Sequence, residues 1–303
     1  MTAMNEAERQ RELDRYRVVD ALPDEAFDDI VQVAAVVCGA PTALVSIIDR
    51  GRQWFRARVG FDRPETRRDE AFCDHAIRTP EQLFEVPDAT QDSRFANNPL
   101  VTGATSVRFY AGMPLVTPAG AAIGTVCVLD NVPRSLDAAQ RSALSALARI
   151  AMNLIEAKNR ERELERNVQL APVATADTTP QRLARCTVAI FEVSNAGAAL
   201  NRMGERTFER VLQSLHDKLE SNLPPDSGDS ISRVSGCAEL IAVLHSPASS
   251  KPLRGLQEQI AAFEQETGLR IVSAHAESQD DNERLEQVYQ RADEALTQAK
   301  DAL

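Results

Sequence analysis

The stretch FYAGMPLVTPAGAAIGTVCVLD, residues 109–130, decides the fold of the first half of this chain. Apolar runs flank the small-residue segment PAGAA, and a Pro-Gly turn between two such runs reads as a β-hairpin. Working outward, ALVSIID (43–49) is a buried-strand run and RGR a turn. QWFRARVG (53–60) alternates large apolar and charged residues, and LFEVPDA (83–89) is a further short strand. Two helices precede the strands. Leu13, Tyr16, Val19 and Leu22 recur at helical spacing, and a second helix covers about 25–38 before Gly39-Ala40-Pro41 stops it. Several antiparallel strands with helices before and after make an α+β sheet domain.

A long helix follows the hairpin, with Ser135 as its expected N-cap. Leu147, Ile150, Leu154, Ala157, Leu164 and Val168 form a narrow apolar stripe, broken by Glu161, in an increasingly charged sequence. Such a seam fits a two-stranded coiled coil, so a homodimer through the 135–168 helix is expected. The alternative is one helix packed on its own domain. Residues 170–181, LAPVATADTTPQ, have linker composition. The last third then reads strand, helix, hairpin, helix, strand, helix, an α/β sandwich with helices over the sheet. The expected division is therefore 1–134, a helix and linker over 135–181, and 182–303.

Composition narrows the function classes. A chain of 303 residues holds two ordinary domains. Its net charge of −11 argues against nucleic-acid binding, which needs a basic footprint. No apolar run approaches the roughly 18 residues that span a bilayer, so no membrane association is expected. The charged, helix-forming residues 1–17 do not read as a signal peptide, and a cytoplasmic location follows. The five cysteines Cys38, Cys73, Cys127, Cys186 and Cys237 are scattered without a CxxC pair, and most read as small buried hydrophobes.

Two resemblances cover most of the chain. Residues 21–130 resemble a GAF domain of bacterial sensory proteins. The matching pieces occur in order: the 22–61 stretch LPDEAFDDIVQVAAVVCGAPTALVSIIDRGRQWFRARVGF, then AFCDHAI, VPDATQDSRFANNPLV, and the 109–130 hairpin. The resemblance implies an antiparallel sheet of five or six strands with helices on one face and a small-molecule pocket on the other. Residues 183–303 resemble a GGDEF domain, the cyclase that joins two GTP molecules into cyclic di-GMP. ADEALTQAK (292–300), GERTFERVLQSL (204–215) and the hairpin SRVSGCAELIAVL (232–244) carry it.

The GGDEF resemblance implies a tip reading Gly-Gly-Asp/Glu-Glu-Phe, whose acids hold Mg²⁺ together with an aspartate of the first strand. Hard cations and oxygen ligands are what phosphoryl transfer requires. Here the tip reads Ser235-Gly236-Cys237-Ala238-Glu239-Leu240. In one register Cys237 replaces a glycine and Ala238 an acid; shifted by one, Cys237 and Ala238 replace both acids. The first-strand Asp-x-Asp becomes Glu192-Val193-Ser194, and the segment NAGAALNRM (195–203) looks shortened. The product-inhibition Arg-x-x-Asp becomes Asp226 and Asp229, acid in place of arginine. The positions Glu192, Ser194, Gly236, Cys237, Ala238 and Glu239 are therefore read as vestigial. No catalysis, metal or cofactor is expected, and the domain is read as a degenerate module that binds a protein or a nucleotide. The rival reading is a diguanylate cyclase with Glu192 and Glu239 as its remaining metal ligands.

In the GAF half the pocket candidates are Trp54, Phe72, Cys73, His75, Phe109 and Tyr110. Alternation turns one of each pair Trp54-Phe55 and Phe109-Tyr110 inward. Cys73 and His75 read either as pocket lining or as a buried thiol and a helix-start imidazole; one Cys and one His do not make a metal site. A redox role for Cys73 would need exposure, low pKa and a second thiol close by, and whether Cys38 or Cys127 is close is not legible. Arg56, Arg58, Arg63, Arg67, Arg68 and Arg108 form either an anion site or a solvated face. The expected whole is a cytoplasmic sensor whose GAF domain takes a small ligand and whose partner is another signalling protein.

Overall fold

The computed structural model describes residues 5–169, 185–224, 227–234, 237–245, 250–280 and 283–301. The chain forms two compact units that divide between Asn159 and Arg160.

In the first unit, α1 (Glu6–Tyr16) starts with a capping box between Asn5 and Glu8. It ends at Arg17 in left-handed conformation, so Val19 and Leu22 lie beyond the helix that their spacing predicted. The second helix, α2 (Glu25–Cys38), matches its expected span. The Asp24 carboxylate accepts from the Ala26 N–H, and Gly39 at φ 59° supplies the left-handed turn that closes it.

The strands are β1 (Thr42–Ile48), β2 (Arg52–Val59), β3 (Glu65–Arg67), β4 (Phe84–Val86), β5 (Phe109–Val116) and β6 (Ala122–Asp130), with the short helices α3 (Phe72–Ala76) and α4 (Pro99–Thr102) between them. They form one sheet in the order β3-β2-β1-β6-β5-β4, every neighbour antiparallel. All of β6 is buried, because both faces of the sheet are covered. Hence β1 and β6 read as continuous apolar runs and not as alternation.

The long helix α5 (Ala138–Gln169) begins at Asp137. The Gln140 N–H donates to the Asp137 carboxylate at 2.8 Å, and the Asp137 N–H donates back to the Gln140 side chain at 3.0 Å. This reciprocal cap displaces the expected Ser135 cap. Leu144, Ala148, Ala151, Met152 and Ile155 of α5 are buried in the core of the first unit, with Leu147 and Leu154 packed at its edge. Part of the stripe read as a dimer seam therefore belongs to the helix's own domain. Ile150 and Leu164 stay 53% and 67% exposed, and Ala157 is exposed as well.

The second unit contains β7 (Thr187–Val193), α6 (Ala196–Met203), α7 (Glu205–Glu220), β8 (Ser230–Arg233), β9 (Glu239–Leu244), α8 (Ser250–Thr267), β10 (Ile271–Glu277) and α9 (Leu285–Asp301). The sheet order is β10-β7-β9-β8, again antiparallel throughout. This is a βαββαβ arrangement followed by a helix. The segment that looked shortened, 195–203, is largely α6. Val188, Ile190, Ile241 and Val243 face Val288, Tyr289, Ala292 and Leu296 of α9 in one core. The amphipathic α7 buries Phe208, Leu212, Leu215 and Leu219. The protein is thus α+β. Among the described residues no helix is long and apolar enough to cross a membrane. The expected linker 170–181 and the tip residue Gly236 lie outside the described residues.

Candidate functional sites in the two units

The sheet of the first unit has two different faces. Trp54 and Phe109, read as pocket candidates, point into the core shared with α1, α2 and α5. The pleat sends their neighbours Phe55 and Tyr110 to the opposite face, where they meet Phe72, Cys73 and Phe95. Phe72 stacks on Phe95 and on Tyr110, with ring centroids 4.1 and 5.2 Å apart. The α3 segment is tied down by Arg68, whose Nε donates to Asp74 at 2.7 Å, and by Asn98, which donates to the Glu70 carbonyl at 3.0 Å. His75 sits among Phe84 and Phe95 on the rim and does not line the cavity. Burial, with Arg78 nearby, lowers its pKa and favours the neutral imidazole.

A cavity of about 10 Å³ lies against Cys73, lined also by Gln53, Thr66, Phe72, Tyr110 and Cys127. That is room for about one water molecule, far below the hundreds of cubic ångströms that an organic ligand fills. The Cys73 sulfur is the hub of a buried polar cluster. It accepts from Gln53 Nε2 at 3.0 Å, Thr125 Oγ1 at 3.1 Å and Tyr110 Oη at 3.2 Å. Gln53 also donates to Ser46 Oγ at 2.7 Å and accepts from Thr66 at 3.1 Å. The Cys127 sulfur is 3.7 Å from that of Cys73. Burial pushes the Cys73 thiol up, but bonds to Cys127, Ser46, Thr125 and Tyr110 outweigh it and bring its pKa down to about 6. The same burial, together with Cys73, pushes Cys127 well above the usual thiol range.

Gln53, Ser46, Thr66 and Thr125 were not singled out from the sequence, and Cys127 was named as a thiol whose distance from Cys73 could not be read. The signal was present for two of them: Ser46 and Thr125 are polar residues inside the apolar runs of β1 and β6, on the same pleat face. Gly112 makes the cluster possible. A Cβ there would lie 2.1 Å from Tyr110 Oη, so only glycine lets the phenol fold back towards Cys73.

A larger recess of about 440 Å³ opens at the ends of β1, β2 and β6, where Thr42, Phe61, Arg63, Thr105, Leu129 and Asp130 contribute to its lining. The arginines read as a possible anion site do not converge. Arg56 donates to the Leu22 carbonyl, Arg67 pairs with Asp69, Arg68 with Glu6 and Asp74, and Arg108 donates to the Val101 carbonyl.

In the second unit the described positions among those read as vestigial gather at one end of the sheet. Glu192 and Glu239 are direct cross-strand partners on β7 and β9. Glu192 is ion-paired with Lys300 of α9. Glu239 is 1% exposed and accepts from Tyr289 Oη at 3.5 Å. Cys237 and Ala238 are both buried; the Cys237 thiol donates to the Val234 carbonyl and belongs to the α9-facing core. The Ser194 hydroxyl donates to the Arg270 carbonyl. At the positions that the GGDEF resemblance gives to metal ligands, one carboxylate is ion-paired with an ammonium and a thiol and a methyl group stand in place of hard oxygens, a donor set that does not fit Mg²⁺. Among the described residues, His216, Asp217 and Glu220 on α7 bring three donor atoms within 4.8 Å of one another, two of them on exposed side chains.

Comparison with known proteins bears on both halves. The family model of the GAF domain matches residues 22–155. A cyclic di-GMP phosphodiesterase of Pseudomonas aeruginosa is 44% identical over 130 residues, which are 43% of this chain and 22% of that protein. The chain therefore matches only about a fifth of that relative's length. Solved structures similar to the chain include the GAF domain of an Acinetobacter phosphoenolpyruvate-protein phosphotransferase, 16% identical over 52% of this chain and 98% of that one, TM-score 0.37. They also include the active GGEEF domain of a diguanylate cyclase from Vibrio cholerae, 20% identical over 39% of this chain and 78% of that one, TM-score 0.34. On the family match and the six-stranded antiparallel sheet, residues 22–155 are a GAF domain.

Proposed function

We propose that this chain is a cytoplasmic, homodimeric signalling protein of cyclic di-GMP metabolism. Its GAF domain senses a small ligand, and its second unit is a degenerate GGDEF-type domain that acts by binding a protein or a nucleotide, without catalysis. The observation that carries the reading is the internal closure of the Glu192–Glu239 pair by Lys300 and Tyr289, beside buried Cys237 and Ala238. A carboxylate neutralised by its own chain has little left to offer a cation. The identity with a cyclic di-GMP phosphodiesterase supports the signalling context. The recess of about 440 Å³ supports a ligand site in the GAF domain, within the usual range for small molecules. The exposed Ile150, Ala157 and Leu164, spaced by seven residues on α5, support a coiled-coil contact between two copies.

The rival reading, a cyclase, keeps one supporting observation: Glu192 and Glu239 stand directly opposite one another, as two ligands of one cation would. Titration of the full-length protein with Mn²⁺ in the presence of GTP separates the two. The proposed reading expects no Mn²⁺ site that depends on Glu239. A site of one ion per chain that disappears in Glu239→Ala would overturn it.

A further inference from the structure

We propose that Cys73 and Cys127 are a dithiol that a hydroperoxide oxidises to a disulfide, making the GAF domain a site of reversible redox modification. The proposal is independent of the reading given to the second unit. Cys73 lies on α3 and Cys127 on β6, and packing of that helix on the sheet brings their sulfurs to 3.7 Å. Closing to the roughly 2.05 Å of a disulfide needs the sulfurs, 3.7 Å apart, to approach by about 1.7 Å. The surroundings suit the first step. Three neutral donors, Gln53 Nε2, Thr125 Oγ1 and Tyr110 Oη, converge on Cys73 within 3.2 Å and stabilise negative charge on its sulfur. Cys127 shares Thr125 and Tyr110, but the Gln53 amide donates to Cys73, and burial beside the Cys73 sulfur disfavours a Cys127 thiolate, so the two thiols are unequal, with Cys73 the nucleophile and Cys127 the resolving group.

Access is narrow but defined. The exposure that the sequence reading required of Cys73 is absent: both thiols are at most 1% exposed, and the cavity beside them holds about one water, so an oxidant must be admitted by side-chain movement. That cavity and the solvent-open recess share Phe61 and Leu129 as lining. Phe61 is partly exposed and rests edge-on against Phe55, with centroids 5.3 Å apart. A small oxidant enters when Phe61 swings aside; a bulky one does not.

The chemistry balances without an outside electron donor. The Cys73 thiolate attacks one oxygen of the hydroperoxide. The O–O bond breaks, the leaving oxygen takes a proton as water or an alcohol, and Cys73 becomes a sulfenic acid. The Cys127 sulfur then attacks the Cys73 sulfur. The S–S bond forms, the S–O bond breaks, and the hydroxyl departs as water with the Cys127 proton. Two thiols are oxidised, and one peroxide bond is reduced.

The test treats the full-length reduced protein with hydrogen peroxide, quenches, unfolds and alkylates it, and reads the peptides by mass spectrometry. The expected result is joint loss of the Cys73 and Cys127 thiols into one cross-linked peptide pair that dithiothreitol releases, with Cys38, Cys186 and Cys237 still alkylated. In Cys127→Ser, dimedone should trap a sulfenic acid at Cys73. Phe61→Ala should speed the loss several-fold. The proposal is overturned if Cys73 stays alkylatable, if it goes to sulfinic acid without a cross-link, or if the other three cysteines react as fast.

Discussion

Glu192 and Glu239 are direct cross-strand partners, two carboxylates side by side on β7 and β9, and Lys300 of α9 is ion-paired with Glu192. Lys300→Met removes that ion pair from the partly buried Glu192, beside the buried Glu239. Urea unfolding of the second unit should then show a loss of about 1–2 kcal/mol, reduced from the fully buried case because Glu192 and Lys300 keep some solvent. Glu239→Gln in the same background should restore part of it, and additive losses would contradict the coupling.

Gly112 is opposite Cys127 on β6 and beneath the Tyr110 phenol. Gly112→Ala places a methyl group 2.1 Å from Tyr110 Oη and 3.1 Å from Cys127 Cβ, so the ring must leave its place. Overpacking of this kind costs about 1–3 kcal/mol. Thermal unfolding of the GAF domain should fall accordingly, and an unchanged midpoint would mean that Tyr110 is not held where the structure puts it.

The apolar residues of α5 divide into buried ones such as Leu144 and exposed ones such as Ile150, the latter proposed above as a contact between copies. Leu144→Ala, at a position with no exposure, should destabilise the GAF domain by about 2–5 kcal/mol. Ile150→Asp, at an exposed position, should leave its unfolding almost unchanged but shift the chain towards monomer in sedimentation velocity. A dimer that survives Ile150→Asp would remove this helix from the contact.

Glu6 pairs with Arg9 and Arg68 at the start of α1. The hydrogen bond from Arg9 lowers its pKa, burial opposes, and Arg68 lowers it further, from 4.5 to about 2. A depressed carboxylate contributes stability above its unfolded pKa and loses it as pH falls through the folded one. The GAF domain should therefore weaken between about pH 4.5 and pH 2, and Glu6→Gln should flatten that part of the profile. An identical pH profile for Glu6→Gln would remove this pair from acid stability.

The limits of the sequence are physical. The span of α2 and the 109–130 hairpin were legible because caps and turn residues are local. Alternation separated Trp54 from Phe55 and Phe109 from Tyr110, but not which face each pair member takes, since that depends on where α2 and α5 pack. The short β3, Glu-Thr-Arg, has no apolar pattern and exists through pairing with β2. Cys73 and Cys127 are 54 residues apart, and their approach rests on α3 lying over β6. In the second unit the βαββαβ order and the altered acids could be read directly. The closure of Glu192 by Lys300 could not, because α9 returns to the first strand only in three dimensions.

The most direct test of a non-catalytic second unit is turnover. The purified, folded protein is incubated with GTP and either Mg²⁺ or Mn²⁺, and the products are examined by mass spectrometry for cyclic di-GMP. No cyclic di-GMP above a protein-free control is expected. Cyclic di-GMP that forms with the wild type and vanishes in Glu239→Ala would contradict it and make the Glu192–Glu239 pair an active site.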